Sequence, residues 1–130
     1  MSVKFLKTVY GGKIMNWGRA AVFDRFVFCS GECGIDPDTG NIVDGIKAQS
    51  ELTMRKLNST LEEVGTSFKN VVYLFIILRN MDDYNELENV MKKYFNPEDI
   101  PSTVIEAGLA EKKLLVEVEA TAVIPKTSED

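Results

Sequence analysis

The spacing of hydrophobic and polar positions predicts strands in the first third of the chain and helices after it. Three short extended segments come first, VKFLKTV, WGRAAVF and RFVFCSG, with turn residues at 11–12 and 24–25 between them. The segment DPDTGN, residues 36–41, combines Pro, Asp and Gly in a turn and closes this section. We therefore predict three strands before the first helix.

Two later segments repeat their apolar residues at the spacing of an amphipathic helix. The first begins near Asp44 and stops at Gly65. Its apolar stripe is formed by Ile46, Met54, Leu57, Leu61 and Val64. The second can be capped by Asp82 or Asp83 and ends at Asn96-Pro97. Its stripe is formed by Met81, Tyr84, Leu87, Met91 and Phe95.

Three further strands are predicted at residues 70–79, 102–107 and 113–124. The last of them alternates between two faces, of which one consists of Val116, Val118, Ala120 and Ala122. The other face consists of Leu115, Glu117, Glu119 and Thr121. The order βββ-α-β-α-ββ predicts a single α+β domain over residues 1–130, with two helices on one face of a mostly antiparallel or mixed sheet.

One face of this sheet is expected to lack a cover. The strand at residues 71–78 is apolar on both faces, but two helices cover only one face of a sheet of this size. Since an apolar patch of that extent is rare on a monomer, we predict an oligomer that packs these faces together. The alternative is that the N-terminal strands fold over the face.

Composition and charge narrow the function classes. Among 130 residues, 45% are hydrophobic and 27% are charged, the balance of a soluble globular protein. The net charge of −5 disfavours binding to a phosphate backbone, so nucleic acid is a poor candidate partner. The longest apolar run, VVYLFIIL, is shorter than the roughly 20 residues of a membrane-spanning helix. The N-terminus lacks a secretory signal, which predicts a cytoplasmic protein.

Candidate chemistry must proceed without histidine, the commonest general base near neutral pH, because the chain contains none. Cys29 and Cys33 form a C-x3-C pair without a second pair nearby, so we expect no zinc site, and we predict no other metal or cofactor. In a cytoplasmic setting both thiols should be reduced. The glycine-flanked loop GECG, residues 31–34, either presents backbone N–H groups to a ligand or is a turn around a buried thiol.

Two pairs of side chains are further candidates. Glu117 and Glu119 share one strand face about 7 Å apart, where they either act as an acid and a base or belong to a solvated surface. Trp17 and Arg19 also share a face if their segment is extended. Such a pair holds a planar or anionic ligand, or it simply packs.

Four segments, taken in order over nearly the whole chain, resemble the Rid family, also known as YjgF or L-PSP. FVFCSGECGIDPDTGNIV is similar to the family's strand, S-G-Q and D-P-x-T-G segment. IKAQSELTMRKLNSTLEEVGTSFKNVV is similar to its A-Q-containing helix and D-V-V strand. DDYNELENVMKKYF is similar to its D-F-x-x-x-N-x-x-Y-x-x-F-F helix, and LLVEVEATAV to its V-E-I-E-A-I-A-V ending.

The resemblance implies a chorismate-mutase-like fold and a homotrimer with small-molecule clefts between subunits. The best-known members are enamine/imine deaminases, and Glu117 matches the carboxylate that positions or activates the attacking water. Ser30 and Gly31 match the loop whose backbone contacts the ligand. The remaining ligand positions implied by the resemblance are Trp17, Glu88 and Thr103.

The largest departure from the family lies at residues 99–104, where Pro101 stands in place of the arginine of P-A-R-[ST]-x-V. In the family that arginine grips the substrate carboxylate. Three alternatives follow: Arg19 reaches the cleft instead, the ligand is neutral or cationic beside Glu88 and Glu117, or the chemistry is lost. The resemblance thus implies an altered imine or enamine hydrolase, or a non-catalytic metabolite-binding or regulatory protein. An endoribonuclease is disfavoured by the acidic charge and the missing histidine.

Overall fold

A computed structural model describes residues 2–126 of the chain. Within this range the strands are β1 (Lys4–Tyr10), β2 (Lys13–Phe23), β3 (Phe26–Cys29), β4 (Glu32–Cys33), β5 (Val71–Leu78), β6 (Ser102–Glu106) and β7 (Val116–Val123). The helices are α1 (Ile46–Glu63) and α2 (Tyr84–Met91), and short 3-10 turns cover Phe68–Asn70 and Met81–Asp83. None of the helices described is long and apolar enough to cross a membrane.

The strands form one mixed sheet in the order β1-β2-β3-β7-β5-β6, and β4 also pairs with β7. β5 and β6 are parallel, and the other pairs are antiparallel. The predicted α+β architecture is therefore confirmed. β7 lies at the centre of the sheet, and the faces of its residues determine what lies inside and outside.

The core fills the space between the sheet and the two helices. The alternating apolar residues of β7 point into it, as their pattern predicts. Side chains that are almost fully buried there include Met54, Leu57, Leu61, Leu74, Ile76, Leu78, Leu87, Met91, Val116 and Val118. Both helices therefore pack on one face of the sheet, and Glu117 and Glu119 lie on the other.

The second face is apolar and exposed. No element among residues 2–126 covers it, because β1, β2 and β3 extend the same sheet sideways. The alternative that the N-terminal strands fold over this face is wrong for that reason. Its large exposed side chains include Phe5, Phe23, Phe26, Phe28, Tyr73 and Ile105. We call this surface the open face.

The N-terminal hairpin is longer than predicted. β2 begins at Lys13 instead of Trp17, because the turn between the strands needs only Gly11 and Gly12. Both glycines have positive φ angles, 58° and 79°, which residues with a side chain rarely adopt. A tight turn of this kind lets the strand pairing begin immediately, with Tyr10 opposite Lys13.

The second helix is shorter than predicted. α2 ends at Met91, and the chain continues in turns in which the Tyr94 N–H donates to the Met91 carbonyl at 2.9 Å. Tyr94 and Phe95 pack against the Phe68 ring, with centroids 5.3 and 5.4 Å away. Phe95 therefore packs against the core, as its place in the stripe predicts, but from a turn that lies outside the helix.

The last strand also begins later than predicted, at Val116 instead of Lys113. The backbone before it bonds to the Gln49 side chain of α1, and the Leu115 carbonyl accepts from the Arg79 N–H, directly after β5, at 3.0 Å. Gln49 donates to the Lys113 carbonyl at 2.9 Å and accepts from the Leu115 N–H at 2.8 Å. A buried amide thus replaces a strand partner at this point.

Candidate active site

A β-bulge shapes the loop at Ser30 and Gly31. Residues 28–32 span the same stretch of sheet as residues 118–121 of β7, so the bulged strand carries one extra residue. The Ser30 N–H donates to the Arg19 carbonyl at 3.0 Å, which keeps this residue paired with β2. Bulges redirect the following side chains and are common next to active sites. Here the bulge separates β3 from β4 and places Gly31 against β7.

Gly31 and Glu117 are in direct contact. A Cβ built on Gly31 would lie 2.4 Å from Oε2 of Glu117 and 2.6 Å from its Cδ. The carboxylate therefore occupies the space that a side chain at position 31 would need. The structure thus brings together two residues that the sequence indicated separately.

The surroundings of Glu117 favour its protonated form. Burial raises the pKa of this half-buried carboxyl, and the negative charges of Glu119 and Glu32 raise it further. A carboxyl whose pKa moves towards neutrality is better suited to exchange protons with a substrate. A third carboxylate, Glu32, thus influences the predicted pair from the core side of the sheet, and it was not predicted.

Apolar side chains lie beside Glu117 on the open face. Ile77 of β5 is opposite it in the antiparallel register, and Ile105 of β6 is next to Ile77 in the parallel register. Neither residue carries a charge or a donor. The floor on this side of the carboxylate is therefore apolar and uncharged.

Thr103 of β6 also lies on the open face, two residues before Ile105. It is in register with Phe75, which is in turn opposite Glu119. Its hydroxyl is hydrogen-bonded to the Tyr73 hydroxyl. A predicted ligand-binding residue therefore lies near the carboxylates, paired with a tyrosine that the sequence did not indicate.

Pro101 immediately precedes β6, an edge strand of the sheet. Its carbonyl accepts a hydrogen bond from the Leu74 N–H at 3.0 Å, and its missing N–H leaves no ladder bond unmade. The backbone is therefore satisfied with a proline at this position, and the open face gains no positive charge from it.

Arg19 does not reach Glu117 within one chain. Its guanidinium donates to the Lys7 carbonyl at 3.0 Å and to Thr60 Oγ1 at 3.1 Å, and it forms an ion pair with Glu63 at 2.9 Å. These contacts hold it against α1 on the helix side of the sheet. The idea that Arg19 replaces the family's arginine in the same chain therefore lacks structural support.

Trp17 and Glu88 are also separate from Glu117 in one chain. Trp17 is 45% exposed on the hairpin. Its ring and the Tyr10 ring are roughly perpendicular, with their centroids 6.0 Å apart. Glu88 lies on α2 and pairs with Lys92 at 3.6 Å. Either residue can join a cleft around Glu117 only from another copy of the chain.

The sequence did not indicate a buried cluster around Lys56. The ammonium lies 3.3 Å from Glu32 Oε1 and donates to the Tyr10 hydroxyl at 3.1 Å. It also donates to the carbonyls of Cys33 and Ile35, at 3.0 and 2.8 Å. No clear signal was available, because Lys56 lies outside the predicted apolar stripe of α1, although the folded helix buries it.

A cavity of about 510 Å³ lies on the helix side of the sheet. It is bounded by the hairpin, the turn at residues 36–38 and α1, and its lining includes Arg19, Glu32, Arg55 and Lys56. Glu117 does not line it. This cavity is therefore separate from Glu117, and a closed cleft at Glu117 requires a second surface over the open face.

The two thiols are poor nucleophiles. Both are free and buried, and burial raises the pKa of Cys29 to about 12 and that of Cys33 to about 11. Among residues 2–126 there is also no cluster of three or more acidic, cysteine or histidine side chains that could hold a metal ion. The carboxylates are therefore the principal reactive groups of the candidate site.

Comparison with known proteins identifies the family of the chain. The family model described as Endoribonuclease L-PSP matches residues 12–124. A RutC family protein of Pyrococcus abyssi is 32% identical over 107 residues, which cover 82% of this chain and 84% of that protein. Human 2-iminobutanoate/2-iminopropanoate deaminase is 26% identical over 113 residues, covering 86% and 82% of the two chains.

The fold comparison gives the same result. The crystal structure of a YjgF family protein from Neisseria meningitidis superposes with a TM-score of 0.81 at 23% identity, covering 98% of each chain. The mixed sheet with two helices on one face is thus the chorismate-mutase-like fold that the motifs implied. With a family model that spans most of its length, the chain belongs to the Rid (YjgF/L-PSP) family.

Proposed function

We propose that this protein hydrolyses the C=N bond of a small imine, or of the imine tautomer of an enamine, with Glu117 as the group that activates water. The contact between the Glu117 carboxylate and the bulge at Gly31 is the observation that carries the proposal. That contact fixes a carboxyl of raised pKa beside an apolar floor. Relatives described as imine deaminases support the same reaction class.

The reaction needs one proton acceptor and one water molecule. The water oxygen adds to the carbon of C=N while Glu117 takes one of its protons. The proton passes to the nitrogen and gives a carbinolamine. Glu117 then takes the hydroxyl proton and returns it to the amine as the C–N bond breaks, so the products are a carbonyl compound and ammonia. The Tyr73 and Thr103 hydroxyls can hydrogen-bond a substrate placed between them and Glu117.

The charges around the cleft favour a neutral or cationic substrate. Two negative charges about 4 Å apart repel by roughly 4 kcal/mol at an effective dielectric constant of ~20. Glu119 and Glu32 add to the charge of Glu117, and Pro101 supplies no positive charge to offset it. A substrate carboxylate would therefore need a cation from a neighbouring subunit.

We further propose a homotrimer that packs the open faces together. The exposed phenylalanines of this face support it, because a soluble monomer rarely leaves so many large apolar residues in water. A neighbouring copy would also close the cleft over Glu117. Trp17 and Glu88, if they take part, would then come from that copy.

A non-catalytic metabolite-binding protein on the same scaffold is the second candidate. It is favoured by Pro101, since the family's deaminases have an arginine there to orient the substrate. The same cleft would then bind a small amine or amide without turning it over. The two candidates differ in whether ammonia is released.

Ammonia release from freshly generated imines tests the proposal. We expect turnover by the wild type with neutral or cationic imines, and a fall of about 100-fold or more in Glu117→Gln, which cannot accept the proton. Glu119→Gln, the matched control on the same strand face, should keep most of the activity. The pH profile of kcat/KM should fall on the acid side at a pH above the usual glutamate value, because the pKa of Glu117 is raised.

Two outcomes would change the proposed function. Equal turnover in Glu117→Gln and the wild type would remove Glu117 from the mechanism. Activity only in Pro101→Arg would indicate a scaffold that has lost the deaminase reaction and would favour the binding role.

The proposed assembly is tested by sedimentation. The wild type should sediment as a trimer at micromolar concentration, and Phe28→Glu should dissociate it, because the substitution places a charge in the apolar contact. Lys47→Glu places the same side chain on the exposed side of α1 and should leave the assembly unchanged. A well-folded wild-type monomer would contradict the proposal.

A further inference from the structure

The Lys56–Glu32 ion pair lies behind Glu117, on the helix side of the sheet. Glu32 is in register with Val118 and Cys33 with Glu117, so the alternation of β4 points Glu32 towards the core and Cys33 towards the open face. The side chains of Lys56 and Glu32 are 9% and 7% exposed. A buried pair of this kind persists only when its hydrogen bonds are satisfied.

The Lys56 ammonium contacts three acceptor oxygens of one short segment, residues 32–35. Of its four oxygen contacts, one is the Glu32 carboxylate and two are the carbonyls of Cys33 and Ile35. The fourth is the Tyr10 hydroxyl of the hairpin. The ammonium therefore fixes the chain directly after the bulge to α1, and a side chain without its three donors would leave these oxygens unpaired.

This segment bears directly on Glu117. Gly31, which supports the carboxylate, precedes Glu32, and Cys33, which is opposite Glu117 on β7, follows it. A change in the position of Glu32 therefore moves both neighbours of the Glu117 carboxylate.

From this geometry we propose that Lys56 and Glu32 are positioning residues for Glu117, which they hold in place from the opposite side of the sheet. Their importance for turnover rests on the proposed function, whereas their effect on Glu117 itself does not. Neither residue touches the open face, so neither would contact a substrate there.

The electrostatics are consistent with this role. Glu32 raises the pKa of Glu117, and the Lys56 ammonium opposes the effect of burial on Glu32 itself. The other charged or titratable groups that influence Glu117, or are influenced by it, are Glu119 on β7, Cys33 on β4 and Tyr10 on β1. Replacing Glu32 by glutamine removes one negative charge beside Glu117 while the Lys56 charge stays, and this single change favours ionised Glu117.

Titration of Glu117 by carbon NMR of its side-chain carboxyl tests the proposal without any turnover. We expect Glu32→Gln to lower the titration midpoint by roughly one pH unit, the size of shift that a nearby charge produces. The double substitution Glu32→Gln with Lys56→Gln leaves no unpaired charge, so it should fold even if the single variant does not, and it should lower the midpoint by less. Glu86→Gln, a partly exposed position on α2, is the control and should leave it unchanged.

An unchanged midpoint in the folded Glu32 variants would overturn the proposal, because loss of the Glu32 charge and displacement of the Glu117 carboxylate would both change the ionisation of Glu117. If imines are hydrolysed, the acid side of the kcat/KM profile should move with the NMR midpoint. A shifted midpoint in a protein without hydrolase activity would contradict the proposed function and leave the positioning role in place.

Discussion

Replacing Gly31 with alanine is expected to lower imine hydrolysis by about 100-fold while the fold stays nearly as stable as the wild type. The new Cβ would lie within 2.4 to 2.7 Å of three atoms at the end of the Glu117 side chain. That end is flexible, so it can swing away at little energetic expense, but it then leaves the place from which it would activate water. A displacement of about 1 Å is enough for a loss of this size.

The measurement is kcat/KM for ammonia release, together with the melting temperature of each variant. Gly108→Ala is the matched control, because a Cβ at position 108 meets nothing within 4 Å. Wild-type turnover in Gly31→Ala would show that the contact with Glu117 has no role in the reaction. A large loss of stability would show that the bulge, and not the carboxylate, responds to the substitution.

Replacing Gly34 with alanine, in contrast, is expected to act on stability and to destabilise the fold by about 3 kcal/mol. Overpacking alone is typically destabilising by roughly 1–3 kcal/mol. Its Cβ would lie 2.4, 2.8 and 2.9 Å from the Cγ, Cβ and Cδ atoms of Gln49. Gln49 is 1% exposed and cannot swing into solvent. Its amide also bonds to Val43, Lys113 and Leu115, and a displaced side chain would break these bonds.

Thermal unfolding at a fixed protein concentration measures this effect, because the stability of an oligomer depends on concentration. A loss of about 3 kcal/mol corresponds to a fall of roughly 10 °C in the melting temperature of a domain of this size. The Gly108→Ala protein again provides the reference. A Gly34→Ala protein that melts with that reference would mean that Gln49 has room to move, contrary to its packing.

The strong periodicities of the sequence predicted the parts of the fold that local burial decides. β7 alternates over eight residues, and each face lies where the pattern placed it, since one face packs on the helices. α1 likewise begins at Ile46 within the predicted helix. The family resemblance indicated Gly31 and Glu117 separately, and their contact was not predicted, because it depends on a bulge that has no clear signature in one sequence.

The parts of the site that the sequence did not reveal depend on pairing between distant residues. Lys56 and Glu32 meet only because α1 crosses behind β4, and neither residue identifies the other. Arg19 and Glu88 were predicted to contact the ligand, but each forms an ion pair within the chain. Arg19 pairs with Glu63, and Glu88 pairs with Lys92. A local pattern shows the face on which a side chain lies, and it does not show which partner reaches it from another element.

The central place of β7 has a consequence for how the protein folds. β7 is the last of the strands among residues 2–126, yet it separates β3 from β5 and pairs with both, so that Val27 is opposite Ala122. The ladder between these strands cannot form until the final strand has left the ribosome, and contacts so distant in sequence slow folding. Until then β3 and β5 each keep an unpaired backbone edge, and their apolar side chains stay uncovered. The nascent chain is therefore a candidate for chaperone binding, and pairing of β7 is the step that commits it to the native state.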